Sequence, residues 1–481
     1  MTLKDLLQGV QILSIQAEPT MEVGGVSCDS RAVTPGEVFV AVSGTSRDGE
    51  QFITEALENG AVCVVCERPP LPAVPWITVP CARRALALMA ANQYGHPAEE
   101  LTLIGVTGTN GKTTTTCFIR DILEQKAGAR VGLIGTVENV VGEQTLPAER
   151  TTPDACRLQY LLRQMVDAGC THVVMEVSSH ALALERTYGL RFDVGVFTNL
   201  TQDHLDFHET MERYCAAKGR LMRSCCTAVY NADDPWSCRV LQNSTCPRFS
   251  YGLENPCDLQ ARNAVCGCSG VNYTACTAWE AIPAGCAVPG RFSIYNSLAA
   301  MAVCHRLGIS LSDCAEVLLR DGGAKGRMEV VSTPPKGYTV LIDYAHTPDA
   351  LENVLRTVRD FAPGRIIAVF GCGGDRDRTK RPQMGAVAAR LADVAVVTSD
   401  NPRREEPDAI IREILSGMDG SDHTVVIPDR EEAICWALDH GRDGDVIVLC
   451  GKGHETYQEI GGEKRPMDER EVVADYMKKH P

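Results

Sequence analysis

No uninterrupted apolar run in this chain approaches the roughly 20 residues that a membrane-spanning helix needs. Membrane insertion is therefore not expected. Met1 to Gln11 carries Lys4 and Asp5 and no apolar core, so it does not read as a secretion signal. A cytoplasmic protein is expected. A basic excess is missing too. The 47 Lys and Arg face 62 Asp and Glu, which leaves a net charge of −15. Broad nucleic-acid binding wants a basic face, so no nucleic-acid partner is expected. Any phosphate site must then be basic locally. The 22 cysteines are many but scattered. The tight pairs Cys225-Cys226 and Cys266-Gly267-Cys268 do not form the repeated C-x-x-C arrangement usual for zinc. In a reducing compartment they read as small, half-buried apolar residues.

The most informative stretch is Ile104 to Thr114, in which Gly108-Thr109-Asn110-Gly111-Lys112-Thr113-Thr114 follows an apolar run and precedes a helical pattern. A glycine-rich turn between strand and helix aims backbone N–H groups and a helix N-terminus at phosphate oxygens. Lys112 would reach the outer phosphates and the Thr113 hydroxyl would hold Mg²⁺. The spacing departs from G-x-x-x-x-G-K-[ST], because Val106 occupies the first glycine position. ATP is the expected ligand.

A chain of 481 residues suggests about three domains. The expected class is α/β throughout. Residues 1–96 read as a small α/β domain, with strands at 23–31, 38–42 and 61–66, helices at 53–59 and 83–93, and a proline-rich loop at 69–75. The Tyr94-Gly95-His96-Pro97 break marks its end. Residues 97–325 read as a P-loop, parallel-sheet domain, with later strands at 171–177 and 192–198. Residues 326–481 alternate apolar runs with helical patterns, which predicts a doubly wound, Rossmann-like sheet. Ligands bind such sheets at the carboxyl ends of the strands. Four polar clusters fall there: Asp343 to His346, Gly373 to Arg376, Ser399 to Arg403 and Gly451 to Glu455.

Glu176 ends an apolar strand. A carboxylate there wants a partner, and beside a phosphate loop Mg²⁺ suits it, with a buried salt bridge as the alternative. His204 reads either as a ligand to a second metal, oriented by Asp203, or as a polar loop residue. By pattern, Lys218 is a helix lysine facing solvent.

Gly-Thr-Asn-Gly-Lys-Thr-Thr (108–114), Met-Glu-Val-Ser-Ser-His (175–180), Thr-Asn-Leu-Thr-Gln-Asp-His-Leu-Asp-Phe-His (198–208), Ala-Ala-Lys (216–218) and Asp-Tyr-Ala-His-Thr-Pro-Asp (343–349) together resemble the Mur ligases of peptidoglycan synthesis. Cys28-Asp29-Ser30-Arg31 and Asp-Asn-Pro-Arg (400–403) extend the likeness to both ends of the chain. The resemblance implies an ATP-dependent, amide-forming ligase acting through an acyl phosphate. It implies a role in building the cell wall, and so in cell shape and division. It makes Thr113, Glu176, His204 and a carbamylated Lys218 the ligands of two Mg²⁺ ions. Asn296, Arg327, Asp343 and His346 are implied on the ATP side. Cys28, Ser30, Thr45, Ser46 and Arg47 are implied at the uridine end of the sugar substrate, UDP-N-acetylmuramoyl-L-alanyl-D-glutamate. Thr151, Thr152, Ser178 and Arg186 would meet its muramoyl-dipeptide. Leu184 and Ser293 depart from the glutamine and asparagine common in relatives.

For the amino acid, the resemblance points to Arg376, Asp400, Asn401, Pro402, Arg403, Gly451 and Glu455. Arginine binds a carboxylate bidentately and repels an ammonium. Arg403 therefore favours meso-2,6-diaminopimelate over lysine. A lysine-adding relative, a folylpolyglutamate-synthetase-like ligase and a P-loop ATPase without ligase activity are the rival readings. A monomer is expected.

Overall fold

The computed structural model describes residues 1–44, 48–70, 74–331, 336–418 and 423–480. The chain divides into two compact units: Met1–Asp258 with Ala302–Ile309, and Leu259–Met301 with Ser310–Pro481.

In the first unit, a five-stranded sheet runs in the order Ser14–Gln16, Trp76–Thr78, Cys63–Cys66, Val38–Val40, Val26–Ser27. Only the first pairing is antiparallel. The strand expected at 23–31 is just two residues long. Asp29 accepts a hydrogen bond from the Arg31 N–H and turns the chain into the 3₁₀ segment Ser30–Ala32. Cys63-Val64-Val65-Cys66 is a C-x-x-C, a spacing that the reading of the cysteines passed over. Being three apart on a strand, its thiols point to opposite faces. Cys63 joins the core around Leu3 and Ala85, and Cys66 the core around Phe39 and Ala56. They do not form a metal pair.

The same unit holds six parallel strands in the order Arg248–Gly252, Cys225–Asn231, Phe192–Phe197, Thr102–Thr107, His172–Glu176, Val131–Ile134. Two antiparallel strands, Glu138–Val141 and Gln144–Pro147, extend it and were not foreseen. Thr102–Thr107 lies at the centre, flanked by His172–Glu176 and Phe192–Phe197. Glu176 pairs in register with Val106, and Phe197 with Thr107. The ends of three neighbouring strands thus converge on the segment that follows Thr107.

The second unit has a sheet in the order Glu329–Val331, Thr339–Asp343, Val446–Cys450, Ile366–Phe370, Val394–Val397, Thr424–Val426. All pairings but the first are parallel. The late strand Val446–Cys450 sits between the two earlier ones, which is the kind of order reversal where ligands bind. The four polar clusters follow its parallel strands on one rim. The unit also contains the antiparallel set Leu259–Gly267, Gly270–Cys276, Ala281–Cys286 and the hairpin Tyr457–Ile460 with Glu463–Pro466.

Candidate active site

Gly108 leaves the central strand with φ 155°, and a side chain there would run into the Thr198 hydroxyl. Gly111, at φ 85°, turns the chain into the helix Lys112–Ala127. Only glycine takes both positions without strain. The neighbouring strand end fixes the loop: Thr109 N–H donates to the Asn199 carbonyl at 2.9 Å, Asn110 N–H to Asn199 Oδ1 at 2.9 Å, and Thr198 Oγ1 to the Asn110 carbonyl at 2.6 Å. Lys112 Nζ donates to the Gly108 and Thr109 carbonyls at 3.0 and 2.8 Å. Thr114 is buried in the first turn of the helix.

Glu176 is 1% exposed. Its Oε1 accepts from Thr113 Oγ1 at 3.0 Å and from the Thr136 N–H at 2.8 Å, and Oε2 accepts from Thr136 Oγ1 at 3.0 Å. The Thr113 hydroxyl and the Glu176 carboxylate are therefore brought together as hard oxygen donors. Thr151 lies beside Thr136, hydroxyl to hydroxyl at 3.1 Å. Thr152 Oγ1 donates to the Glu176 carbonyl and accepts from the Ser178 N–H, and Arg186 Nη1 donates to the Thr152 carbonyl at 2.8 Å. Thr151, Thr152, Ser178 and Arg186 thus adjoin the strand end that carries Glu176. Leu184 caps the short helix Ser179–Ala183 without a polar group of its own.

Lys218 does not face solvent as its pattern suggested. It is 1% exposed on the helix Met211–Arg223, with Nζ 4.5 Å from the centre of the Tyr214 ring. Among the described residues no carboxylate pairs with it. Burial first, then repulsion from Lys112, pulls its pKa well below the usual lysine value. Tyr214 was not singled out in the sequence. Its hydroxyl meets Thr109 Oγ1 at 3.1 Å and its ring stacks on His208, so it links phosphate loop, lysine and histidine loop. His204 stands at φ 52°, with Nε2 3.4 Å from Asp203 Oδ2 and its ring 4.8 Å from that of His180.

Cys28 is half-buried, and Ser30 Oγ donates to Glu55 Oε2 at 2.5 Å. Thr45, Ser46 and Arg47 lie outside the described residues.

In the second unit, Asn296 is buried on the helix Arg291–Arg306, and Ser293 Oγ on the same helix donates to the Pro289 carbonyl. Asp343 ends its strand and accepts from the Met328 N–H at 2.8 Å. Burial raises its pKa, and Arg327 pulls it back. The Arg327 guanidinium lies over the Tyr344 ring at 5.3 Å. His346 Nδ1 meets the Tyr344 carbonyl at 2.8 Å, and burial lowers its pKa.

At the rim, Lys452, which lies in the Gly451 to Glu455 cluster but was given no role of its own, is fully buried. Its Nζ donates to Asn401 Oδ1 at 2.7 Å and Glu455 Oε2 at 2.9 Å, and lies 3.8 Å from Asp400 Oδ1. Asn401 Nδ2 also donates to Glu455 Oε2. Gly451, at φ 115°, leaves room for the Asp400 carboxylate. Arg403 stands at φ 51°; its Nη1 donates to the Gly374 carbonyl at 2.7 Å and its Nε to Glu459 Oε2 at 3.2 Å. Pro402 accepts from the Glu405 N–H, and Arg376 is exposed in the segment after Gly373. Lysine between two glycines directly after a buried strand was the available signal for Lys452.

Three family descriptions match the chain: Mur ligase family, catalytic domain, over residues 22–94; Mur ligase middle domain over 106–304; and Mur ligase, glutamate ligase domain, over 326–453. The chain is 46% identical to UDP-N-acetylmuramoyl-L-alanyl-D-glutamate--2,6-diaminopimelate ligase of Geobacillus thermodenitrificans (strain NG80-2), over 98% of each chain. It is 44% identical, over 99% of each chain, to the protein of that name from Caldanaerobacter subterraneus subsp. tengcongensis. A solved structure of a ligase with the same name superposes with a TM-score of 0.74 at 32% identity, covering 100% of this chain and 99% of the other. The chain belongs to the Mur ligase family.

Proposed function

We propose that this chain is an ATP-dependent ligase that joins meso-2,6-diaminopimelate to UDP-N-acetylmuramoyl-L-alanyl-D-glutamate, a cytoplasmic step of peptidoglycan synthesis. The observation that carries the reading is the rim of the second unit. There the buried Lys452 and the partly buried Arg403 stand among Asp400, Asn401, Glu455 and Glu459. A site with both charges at short range suits a zwitterion. Among the described residues, Arg403 Nη2 has no partner, so it is available for a distal carboxylate, and Asp400 and Glu455 suit the distal amine. A lysine terminus would meet a cation at Arg403. Similarity to relatives of the same name over the full chain supports the reading.

In the chemistry proposed, the γ-carboxylate of the D-glutamate attacks the γ-phosphorus of ATP. An acyl phosphate forms and ADP leaves. The amine of diaminopimelate then attacks the acyl carbon and loses a proton. The tetrahedral intermediate collapses with loss of phosphate. Both steps gather negative charge, so oriented donors dominate. Here these are the N–H groups of Gly111 to Thr114 at the N-terminus of the helix Lys112–Ala127 and the Lys112 ammonium. Asn296, Arg327, Asp343 and His346 are proposed on the ATP side. Cys28, Ser30, Thr45, Ser46, Arg47, Thr151, Thr152, Ser178 and Arg186 are proposed for the sugar-dipeptide.

The donors present fit Mg²⁺. Thr113 and Glu176 offer adjacent oxygens, His204 an imidazole. Lys218 fits only after modification. Its buried amine is held toward the neutral form, which is the form that adds CO₂. The product is a carbamate, and one proton leaves. When bound, Mg²⁺ neutralises and polarises phosphate oxygens. A monomer and the three-part division 1–96, 97–325 and 326–481 belong to the same proposal. The family matches at 22–94, 106–304 and 326–453 support that division.

An amino-acid panel with purified protein, UDP-N-acetylmuramoyl-L-alanyl-D-glutamate, ATP and Mg²⁺ tests the proposal. Turnover with meso-diaminopimelate should far exceed that with L-lysine. A preference for lysine overturns the substrate assignment. Phosphate release indifferent to every amino acid overturns the ligase reading.

A further inference from the structure

Cys28 follows the edge strand Val26–Ser27 of the five-stranded sheet. Cys156 is the second residue of the helix Ala155–Asp167, and Asp154 is its N-cap. The two thiol sulfurs and a carboxylate oxygen of Asp154 all lie within 4.8 Å of one another, on three half-buried residues. Asp154 Oδ1 already accepts from the Arg157 N–H, which fixes the side chain and leaves the other oxygen. Cys156 Sγ also lies 3.9 Å from the Val26 carbonyl, so the helix is seated against the strand.

Two sulfurs and one carboxylate are a soft-to-borderline donor set. It suits Zn²⁺, with water in the fourth position, and disfavours Mg²⁺ or Ca²⁺. A zinc–sulfur bond of about 2.3 Å places tetrahedral sulfurs about 3.8 Å apart, so the two sulfurs need to close by about 1 Å at most.

We propose that Cys28, Cys156 and Asp154 form a site for a thiophilic divalent cation, Zn²⁺, that ties the edge of the five-stranded sheet to the helix Ala155–Asp167. Each thiol gives up its proton to solvent as its sulfur binds the metal. Because Cys28 is one of the residues proposed at the uridine end of the sugar substrate, the ion withdraws that thiol from the substrate. That consequence rests on the ligase reading, whereas the binding itself does not.

The test is titration of Co²⁺ into the reduced full-length protein, followed by displacement with Zn²⁺. Wild type should show saturable thiolate-to-cobalt charge-transfer absorption that Zn²⁺ abolishes. Cys156→Ser should weaken Co²⁺ binding by more than about 100-fold, and Asp154→Asn by about 10- to 100-fold. Asn is as good a helix cap as Asp, so Asp154→Asn decides the matter if Cys156→Ser does not fold. Cys238→Ser, at an exposed thiol, should leave the titration unchanged. Wild-type binding in Asp154→Asn and Cys156→Ser, or loss of the signal in Cys238→Ser, overturns the proposal.

Discussion

A lysine shut away from water, with no carboxylate paired to it among the described residues, pays heavily for its charge. Burial, then repulsion from Lys112, pulls the Lys218 pKa well below the usual lysine value, and the centre of the Tyr214 ring lies 4.5 Å from its Nζ. If the amine becomes a carbamate ligand, Lys218→Ala should lower kcat by at least about 100-fold, the size of losing one positioned electrostatic group. Added bicarbonate should not restore turnover, since the amine is gone, but small carboxylates such as acetate should do so in part. Near-normal turnover of the variant would dismiss the carbamate role. Arg403→Ala should act elsewhere. The specificity constant for diaminopimelate should fall by about 10- to 150-fold, the cost of one lost hydrogen bond between charged groups. The KM for ATP should hardly move. Lysine should stay a poor substrate, because removing a repulsive cation does not build a site for an ammonium. Unchanged diaminopimelate kinetics would remove Arg403 from the pocket.

At the scale of elements, helices and buried strands were legible because burial enforces a period. Lys218 was placed on a helix, which runs Met211–Arg223, and the apolar runs of residues 326–481 fold as buried strands such as Ile366–Phe370 and Val446–Cys450. The same helix explains the misreading of Lys218. Tyr214, Lys218, Leu221 and Met222 form one buried stripe at helical spacing, and the lysine occupies a core position on it. Exposed edges carry no such period: Ser14–Gln16 is exposed throughout, and Glu463–Pro466 likewise. Among the site groups, the glycine turns and strand-end carboxylates were visible, whereas Tyr214 and Lys452 depend on contacts between distant segments. Helix Lys380–Leu391 is anchored in a comparable way. Fully buried Arg381 donates to Glu405 and Glu413. That pairing holds the Glu405 carboxyl down at about 2, below the 4.5 of a free glutamate. The folded state therefore favours the carboxylate. Its contribution is whole above pH 4.5 and fades as pH falls toward 2. Glu405→Gln should cost about 1.5–3 kcal/mol at neutral pH. It should also flatten the fall of the thermal midpoint between pH 5 and pH 3. An equally steep fall in the variant would show that other carboxylates set the acid limit.

Across the whole molecule, the two chemistries sit in different units. The phosphate loop, Glu176 and Lys218 belong to the first, and the mixed-charge rim around Lys452 and Arg403 to the second. An acyl phosphate is readily lost to water, so a ligase must keep it from forming idly or shield it until an amine arrives. A simple phosphate-loop ATPase has no such need and releases phosphate from ATP alone. The ligase reading therefore predicts a coupling pattern. Phosphate release should stay at background with ATP alone, and with ATP plus diaminopimelate. It should remain slow with ATP plus the UDP-sugar dipeptide, and reach full rate only with all three. The variants should divide along the same line. Lys218→Ala should lose release under every condition, because it strikes the phosphoryl step. Arg403→Ala should keep the slow release seen without amino acid and lose only the acceleration by diaminopimelate. Isotope exchange between the dipeptide carboxylate and phosphate oxygens would follow the first step separately. Full-rate phosphate release from ATP alone, or a loss of the amino-acid-independent release in Arg403→Ala, would refute this division of labour.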